Sequence, residues 1–191
     1  MSSITFDLLH QLPKVELHCH LDGCLRPESI LDVALHDGVK LPSFDLAELT
    51  STLKIGKKRG SLVDYIERFD ITLSVMQTPE SLTRFSYELI EDVAQENVRY
   101  IEVRYSPILH QQKGMTLDMA VESVKKGLKK GEKKFGVKSG IIVCGIRHIS
   151  PAASLILAEL AVRFKNRGVV GFDLAGAEEN FPAKEHREAF Y

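Results

Sequence analysis

His18 and His20 stand two residues apart in the run Leu17-His18-Cys19-His20-Leu21-Asp22-Gly23. On a β-strand such residues project from one face, with Cβ atoms roughly 6.5–7 Å apart. Two imidazoles so placed can converge on one cation, each nitrogen at about 2.0–2.1 Å from a zinc ion. An HxH spacing is common by chance, so its setting must supply the meaning. Asp22 follows at once and reads two ways, as a carboxylate for a substrate hydroxyl or as the cap of the turn that Gly23 opens. Gly176, in Asp173-Leu174-Ala175-Gly176, also reads two ways. Without a Cβ it lets backbone approach a ligand closely, or it simply makes a strand-to-loop turn.

The remaining reactive side chains carry weaker signals. Cys19 and Cys144 fall on apolar segments and read as inert buried thiols. Cys24 falls on the loop after the HxH motif and has no assigned role. His148 follows the third apolar segment, where it either faces the same site or makes a local hydrogen bond. His10, His36, His110 and His186 read as surface residues.

Four short apolar segments predict the strands that position these residues: 13–20, 98–105, 139–147 and 169–174. Helical patterns separate them. Thr78 with Pro79 starts a helix whose apolar stripe is Leu82, Phe85, Leu89, Ile90 and Val93. Thr116 starts another that carries Leu117, Ala120, Val121, Val124 and Leu128 and ends before Gly136. Ser150 with Pro151 starts a third, running through Leu155, Ala158, Ala161 and Val162 toward Gly168. An insertion, 27–77, has room for two or more further helices.

Strand alternating with helix predicts an α/β chain with a parallel sheet. Glu16, His18 and His20 share one face of the first strand, while Glu102 and Arg104 alternate with Ile101, Val103 and Tyr105 in the second. A parallel strand covered by helices on both faces reads apolar throughout. One polar face therefore predicts a barrel with a polar interior near the strand ends. A (β/α)8 barrel has eight strands and about 250 residues, with its active site at the C-terminal ends of the strands. Four strands in 191 residues predict the N-terminal half of such a barrel, with a helical insertion after the first strand. By the same count the chain is one incomplete domain, 1–191, ending inside its fourth helix.

Composition narrows the function classes. With 25 basic and 26 acidic residues the net charge is -1, which gives no reason to expect a nucleic-acid or anionic-membrane partner. The lysine-rich run from Lys125 to Lys134 reads as a solvated helix face. Three cysteines without CxxC spacing suit a reducing compartment, and the N-terminus lacks the pattern of a signal peptide. The expected location is cytoplasmic.

Three motifs together resemble one family. Residues 12–23, which contain Val15-Glu16-Leu17-His18-Cys19-His20-Leu21-Asp22-Gly23, resemble the opening signature of adenosine deaminases. Tyr100-Ile101-Glu102-Val103-Arg104-Tyr105-Ser106-Pro107 resembles their second strand, and Phe172-Asp173-Leu174-Ala175-Gly176 their fourth. The resemblance implies that His18 and His20 are ligands of one Zn2+ ion. It also implies that His20, Asp22 and Gly176 touch substrate, with Asp22 on the ribose 5′-hydroxyl and the Gly176 N–H on the purine ring. Leu62, Tyr65, Ile66 and Phe69 resemble an apolar lid. The implied reaction is hydrolytic deamination of adenosine, and of 2′-deoxyadenosine, to inosine and ammonia in purine salvage. The partner would be a small purine nucleoside.

That chemistry needs a third histidine, an aspartate ligand, a glutamate proton shuttle and a histidine beside the oxyanion. The family draws these from strands five to eight, beginning with a His-Ala-Gly-Glu motif absent from these residues. The expectation is that this chain has no general acid or base of its own, is inactive alone, and needs the C-terminal half of the barrel as partner. Adenine deaminases usually have glutamate at the Asp22 position and N6-methyl-AMP deaminases asparagine, so aspartate favours the free nucleoside. Two other readings remain. Phosphoesterases of the polymerase-and-histidinol-phosphatase type also begin a barrel with HxH, and a non-enzymatic half-barrel could bind partners through its open edge.

Overall fold

Four parallel strands form one sheet in the order β1-β2-β3-β4, and the computed structural model describes residues 4–54 and 68–191. The strands are β1 (Lys14–His20), β2 (Val98–Tyr105), β3 (Lys138–Ile146) and β4 (Val169–Ala175). Each lies within one residue of its expected bounds. Register aligns His20 with Arg104, Cys144 with Asp173 and Ile146 with Ala175, so the strands end together on one side.

The helices are α1 (Phe6–Gln11), α2 (Pro27–Asp37), α3 (Leu46–Leu53), α4 (Phe69–Ser74), α5 (Pro79–Gln95), α6 (Leu117–Phe135) and α7 (Pro151–Arg163). Their starts follow the local chemistry. The Thr78 hydroxyl accepts from the Ser81 N–H while Ser81 accepts from the Thr78 N–H, a reciprocal cap with Pro79 in the first turn. Thr116 and Ser150 cap α6 and α7 from the N-cap side alone, accepting from Met119 and Ala153 N–H groups. The apolar stripe Leu82, Phe85, Leu89 and Ile90 is buried, as are Ala120, Val121, Val124 and Leu128 of α6. These two helices approach closely at the two glycines of α6. A Cβ on Gly127 would lie 2.2 Å from the Thr83 carbonyl oxygen, and one on Gly131 2.6 Å from Ile90 Cβ.

Three details differ from expectation. Helix α7 ends at Arg163, and Leu155 and Val162 point to solvent while Ser154, Leu157, Leu160 and Ala161 face inward. The charged segment after β4 is a 3-10 helix, Ala183–Phe190, and not an α-helix. His110 and His186 are fully enclosed, each by a contact between segments distant in sequence. The His110 Nδ1 donates to the Met76 carbonyl at 2.9 Å, and the His186 ring bonds Ser154 Oγ at 2.8 Å and the Arg147 carbonyl at 3.1 Å. His10 and His36 are exposed as expected.

Ile101, Val103 and Tyr105 of β2 enter the core, which leaves Glu102 and Arg104 on the opposite face. There the Arg104 guanidinium pairs with the Asp173 carboxylate and donates to the Leu17 carbonyl at 3.1 Å. On β3 this face is apolar, through Ile142 and Ile146. Val15 and Leu17 of β1 keep 60% and 54% exposure. Edge strands β1 and β4 have one sheet neighbour each among the described residues.

Candidate active site

The last three residues of β1 bring the His18 and His20 rings to the mouth of the sheet, with centroids 5.4 Å apart. Both line a cleft of about 390 Å³ together with Asp22, Phe69, His148, Asp173 and Gly176. Their convergence follows from strand parity, because the residue between them, Cys19, points to the other face. The His20 pKa is lowered by burial and then by the neighbouring His18 and Arg104 charges. This favours the neutral imidazole, the form that binds metals.

Asp22 lies in the 3-10 turn Leu21–Gly23 directly after β1. The residue is 9% exposed, and its Oδ1 has no hydrogen-bond partner among the described residues. The His20 Nδ1 is 3.9 Å from this oxygen, beyond hydrogen-bond reach. Burial pushes the Asp22 carboxyl up to about 6. A buried acceptor without a donor is costly, and it suits a ligand that brings one.

Gly176 closes the opposite wall with φ at +97°, and a Cβ there would meet His148 Nδ1 at 3.1 Å. Both the backbone angle and the space therefore call for glycine. His148 faces the cleft, which resolves its two readings. Of the expected lid, Phe69 lines the cleft, while Leu62, Tyr65 and Ile66 lie outside the described residues. A neighbouring cleft of about 370 Å³ shares Asp22 and Phe69 but neither histidine of the HxH pair.

Asp173 is the wall residue that sequence reasoning passed over. It lines the cleft while its carboxylate holds Arg104, and the alternation of β2 had placed Arg104 on this face without giving it a partner. The cysteines also differ in part. Cys144 is buried, and its thiol is pushed up to about 12, chiefly by burial. Cys19 is only half-buried, and Cys24 is exposed.

The metal test is half met. His18 and His20 offer two imidazole nitrogens on one wall, which suits zinc. Among the described residues no group of three or more His, Cys, Asp or Glu side chains gathers to hold an ion.

The adenosine deaminase family profile matches residues 13–191. The chain belongs to the adenosine deaminase family. An adenosine deaminase of Mycobacterium ulcerans is 45% identical over 192 residues, covering 97% of this chain and 52% of that protein. A probable adenosine deaminase of Dictyostelium discoideum is 41% identical over 187 residues, covering 98% of this chain and 24% of that protein. The chain thus spans about half the length of the mycobacterial relative.

Solved structures agree on the fold. An amidohydrolase from Burkholderia ambifaria with bound Zn superposes at a TM-score of 0.84 with 24% identity, covering 99% of this chain and 52% of that one. An adenine deaminase from Arthrobacter aurescens gives 0.80 at 26% identity, covering 92% and 52%. An Arabidopsis relative, ADAL complexed with IMP, gives 0.79 at 27% identity, covering 97% and 57%. The four strands of this adenosine deaminase family chain correspond to about half of a (β/α)8 barrel. The family match sets aside the phosphoesterase reading.

Proposed function

We propose that the protein built on this chain deaminates adenosine and 2′-deoxyadenosine to the inosine nucleosides and ammonia in purine salvage. One observation carries the reading: the buried Asp22 carboxylate, with its Oδ1 unpartnered among the described residues, opens on the same cleft as the paired imidazoles of His18 and His20.

His18 and His20 would hold two positions of a zinc ion. When bound, zinc supplies the Lewis acidity that makes water a nucleophile near neutral pH. This chain's residues bind and orient the nucleoside. Asp22 accepts a hydrogen bond from the ribose 5′-hydroxyl, which satisfies its orphaned oxygen. The Gly176 N–H donates to the purine ring, and the absence of a Cβ allows that approach. Phe69 covers the base and excludes water, and Leu62, Tyr65 and Ile66, outside the described residues, would extend that cover as the resemblance to the family's lid implies. The third histidine, the aspartate ligand and the proton shuttle would come from the other barrel half, so the 191 residues alone are inactive.

Adenine or an N6-methylated nucleotide is the nearest competing substrate, because such deaminases are among the structural neighbours. Asp22 favours the free nucleoside. A carboxylate at the ribose end binds a hydroxyl well and repels a 5′-phosphate.

The test follows loss of adenosine absorbance with zinc added. The 191-residue chain should give none, whereas a fusion to the C-terminal half of the M. ulcerans enzyme should turn over adenosine. In that fusion Asp22→Ala should lower kcat/KM by about 10- to 100-fold, as expected when a charged hydrogen bond to substrate is lost. Turnover in proportion to the concentration of the unfused chain overturns the inactivity claim. A fusion that prefers adenine or N6-methyl-AMP overturns the substrate.

A further inference from the structure

The sulfurs of Cys19 and Cys24 lie 3.4 Å apart, on the side of β1 away from the cleft. Nothing in the nucleoside reading uses either one. Cys19 is half-buried against the core, and Cys24 is exposed at the end of the Leu21–Gly23 turn. Cys144 is buried within the sheet and has no sulfur partner. Two of the three thiols are thus in contact, and one of the two is open to reagents.

A disulfide bond is about 2.05 Å long, so closure needs an approach of about 1.4 Å. Rotation of Cys24 χ1 with a small shift of its exposed backbone can supply that. Its φ of −120° and ψ of 20° involve no left-handed strain. Strand alternation puts Cys19 on the face opposite His18 and His20, so the bond forms on the far side of β1 from both imidazoles.

We propose that Cys19 and Cys24 are a reversible dithiol–disulfide couple, oxidised by exchange with a small-molecule disulfide. The exposed Cys24 thiolate attacks one sulfur of the small disulfide, whose S–S bond breaks. The first small thiol leaves with the proton that Cys24 gave up. Cys19 then attacks the Cys24 sulfur of the mixed disulfide and expels the second small thiol, which takes the Cys19 proton. Two protein thiols are oxidised and one small disulfide is reduced to two thiols. The new bond closes a ring through His20, Leu21, Asp22 and Gly23 and ties the turn that carries Asp22 to β1. The couple stands on the sulfur geometry and does not depend on which purine the cleft takes.

The 191-residue chain is equilibrated with mixtures of reduced and oxidised glutathione, natively and in urea, then treated with iodoacetamide and trypsin. Arg26 is followed by Pro27, which resists trypsin, so the peptide Val15–Lys40 carries Cys19 and Cys24 and excludes Cys144. The expected native product is that peptide unalkylated and lighter by two hydrogen atoms, with Cys144 alkylated. Its disulfide-to-dithiol ratio should exceed the ratio in urea by on the order of tenfold, because the fold already holds the two sulfurs together. Cys24→Ser should abolish the product, and Cys144→Ser should leave it unchanged. Equal ratios with and without urea overturn the proposal. So do two alkyl groups or two glutathione adducts on the native peptide at every mixture, or a disulfide-linked dimer in place of the internal bond.

Discussion

Arg104 of β2 reaches across the inner face of the sheet to Asp173 of β4, passing over β3, and also donates to the Leu17 carbonyl of β1 at 3.1 Å. One guanidinium therefore links three strands just beneath the histidine pair. Arg104 is buried, and its Nε has no partner among the described residues. Asp173 is about one-third exposed, so water screens part of its charge.

Asp173→Ala should lower the unfolding free energy by about 2–4 kcal/mol, because it strands a buried guanidinium. Arg104→Met combined with Asp173→Leu should cost less than the sum of the single changes, since both charges then leave together. A double-mutant cycle by urea unfolding measures the coupling. Strict additivity would mean the pair does not tie the strands together.

Asp22→Asn should separate stability from binding. The carboxyl titrates near 6 in the fold against an ordinary 3.8, so the folded chain favours its protonated form. That contribution is complete below 3.8 and is lost as pH rises through 6. At pH 7 the folded chain carries a buried carboxylate whose Oδ1 has no donor. Its replacement by the neutral amide should raise stability by about 2–3 kcal/mol in chelator-treated protein. The same substitution should weaken nucleoside binding in a protein with both barrel halves. A substitution that lowers both would show Asp22 to be a turn cap.

His110 gives a pH dependence of opposite sign. Its enclosed ring, with Nε2 unpartnered, holds its pKa down to about 4 against an ordinary 6.5. The neutral ring belongs to the fold, so its contribution is complete above 6.5 and disappears as pH falls through 4. The loss amounts to about 3 kcal/mol. Urea midpoints between pH 7 and pH 4 should fall more steeply for this chain than for His110→Gln. Parallel slopes would place the ring in water.

The strands, the three long helices and the HxH pair were legible because each rests on local periodicity or on caps within four residues. Thr78 with Ser81, and His18 with His20, need nothing from elsewhere in the chain. The enclosed histidines were not legible, because His110 is buried by Met76 and His186 by Ser154, partners far away in sequence. Polar composition at 183–190 suggested a helix at the surface, yet the 3-10 winding turns His186 inward over α7. The Arg104–Asp173 pair fell between these cases. Parity set each on its face, but only the order β2-β3-β4 put them within reach. Cys19 and Cys24 sit five residues apart, and it takes the turn Leu21–Gly23 to fold one sulfur back onto the other.

Gly176→Ala joins backbone strain to the shape of the cleft. At φ +97° an L-residue is disfavoured whatever surrounds it, and the added methyl would sit 3.1 Å from His148 Nδ1. The His148 ring stacks edge-on to Phe181 at 6.0 Å, so it cannot yield without disturbing that contact. Backbone strain of this kind costs about 1–3 kcal/mol. The melting temperature should fall accordingly. In a protein with both barrel halves the Gly176 N–H should swing away from the purine and raise KM more than it lowers kcat, because positioning of bound substrate is what is lost. Gly176→Ala paired with His148→Ala relieves the steric contact and leaves the φ penalty. The double variant should therefore recover part of the stability and little of the affinity. Full recovery of both would assign the whole effect to the His148 ring and remove Gly176 from the purine-binding wall.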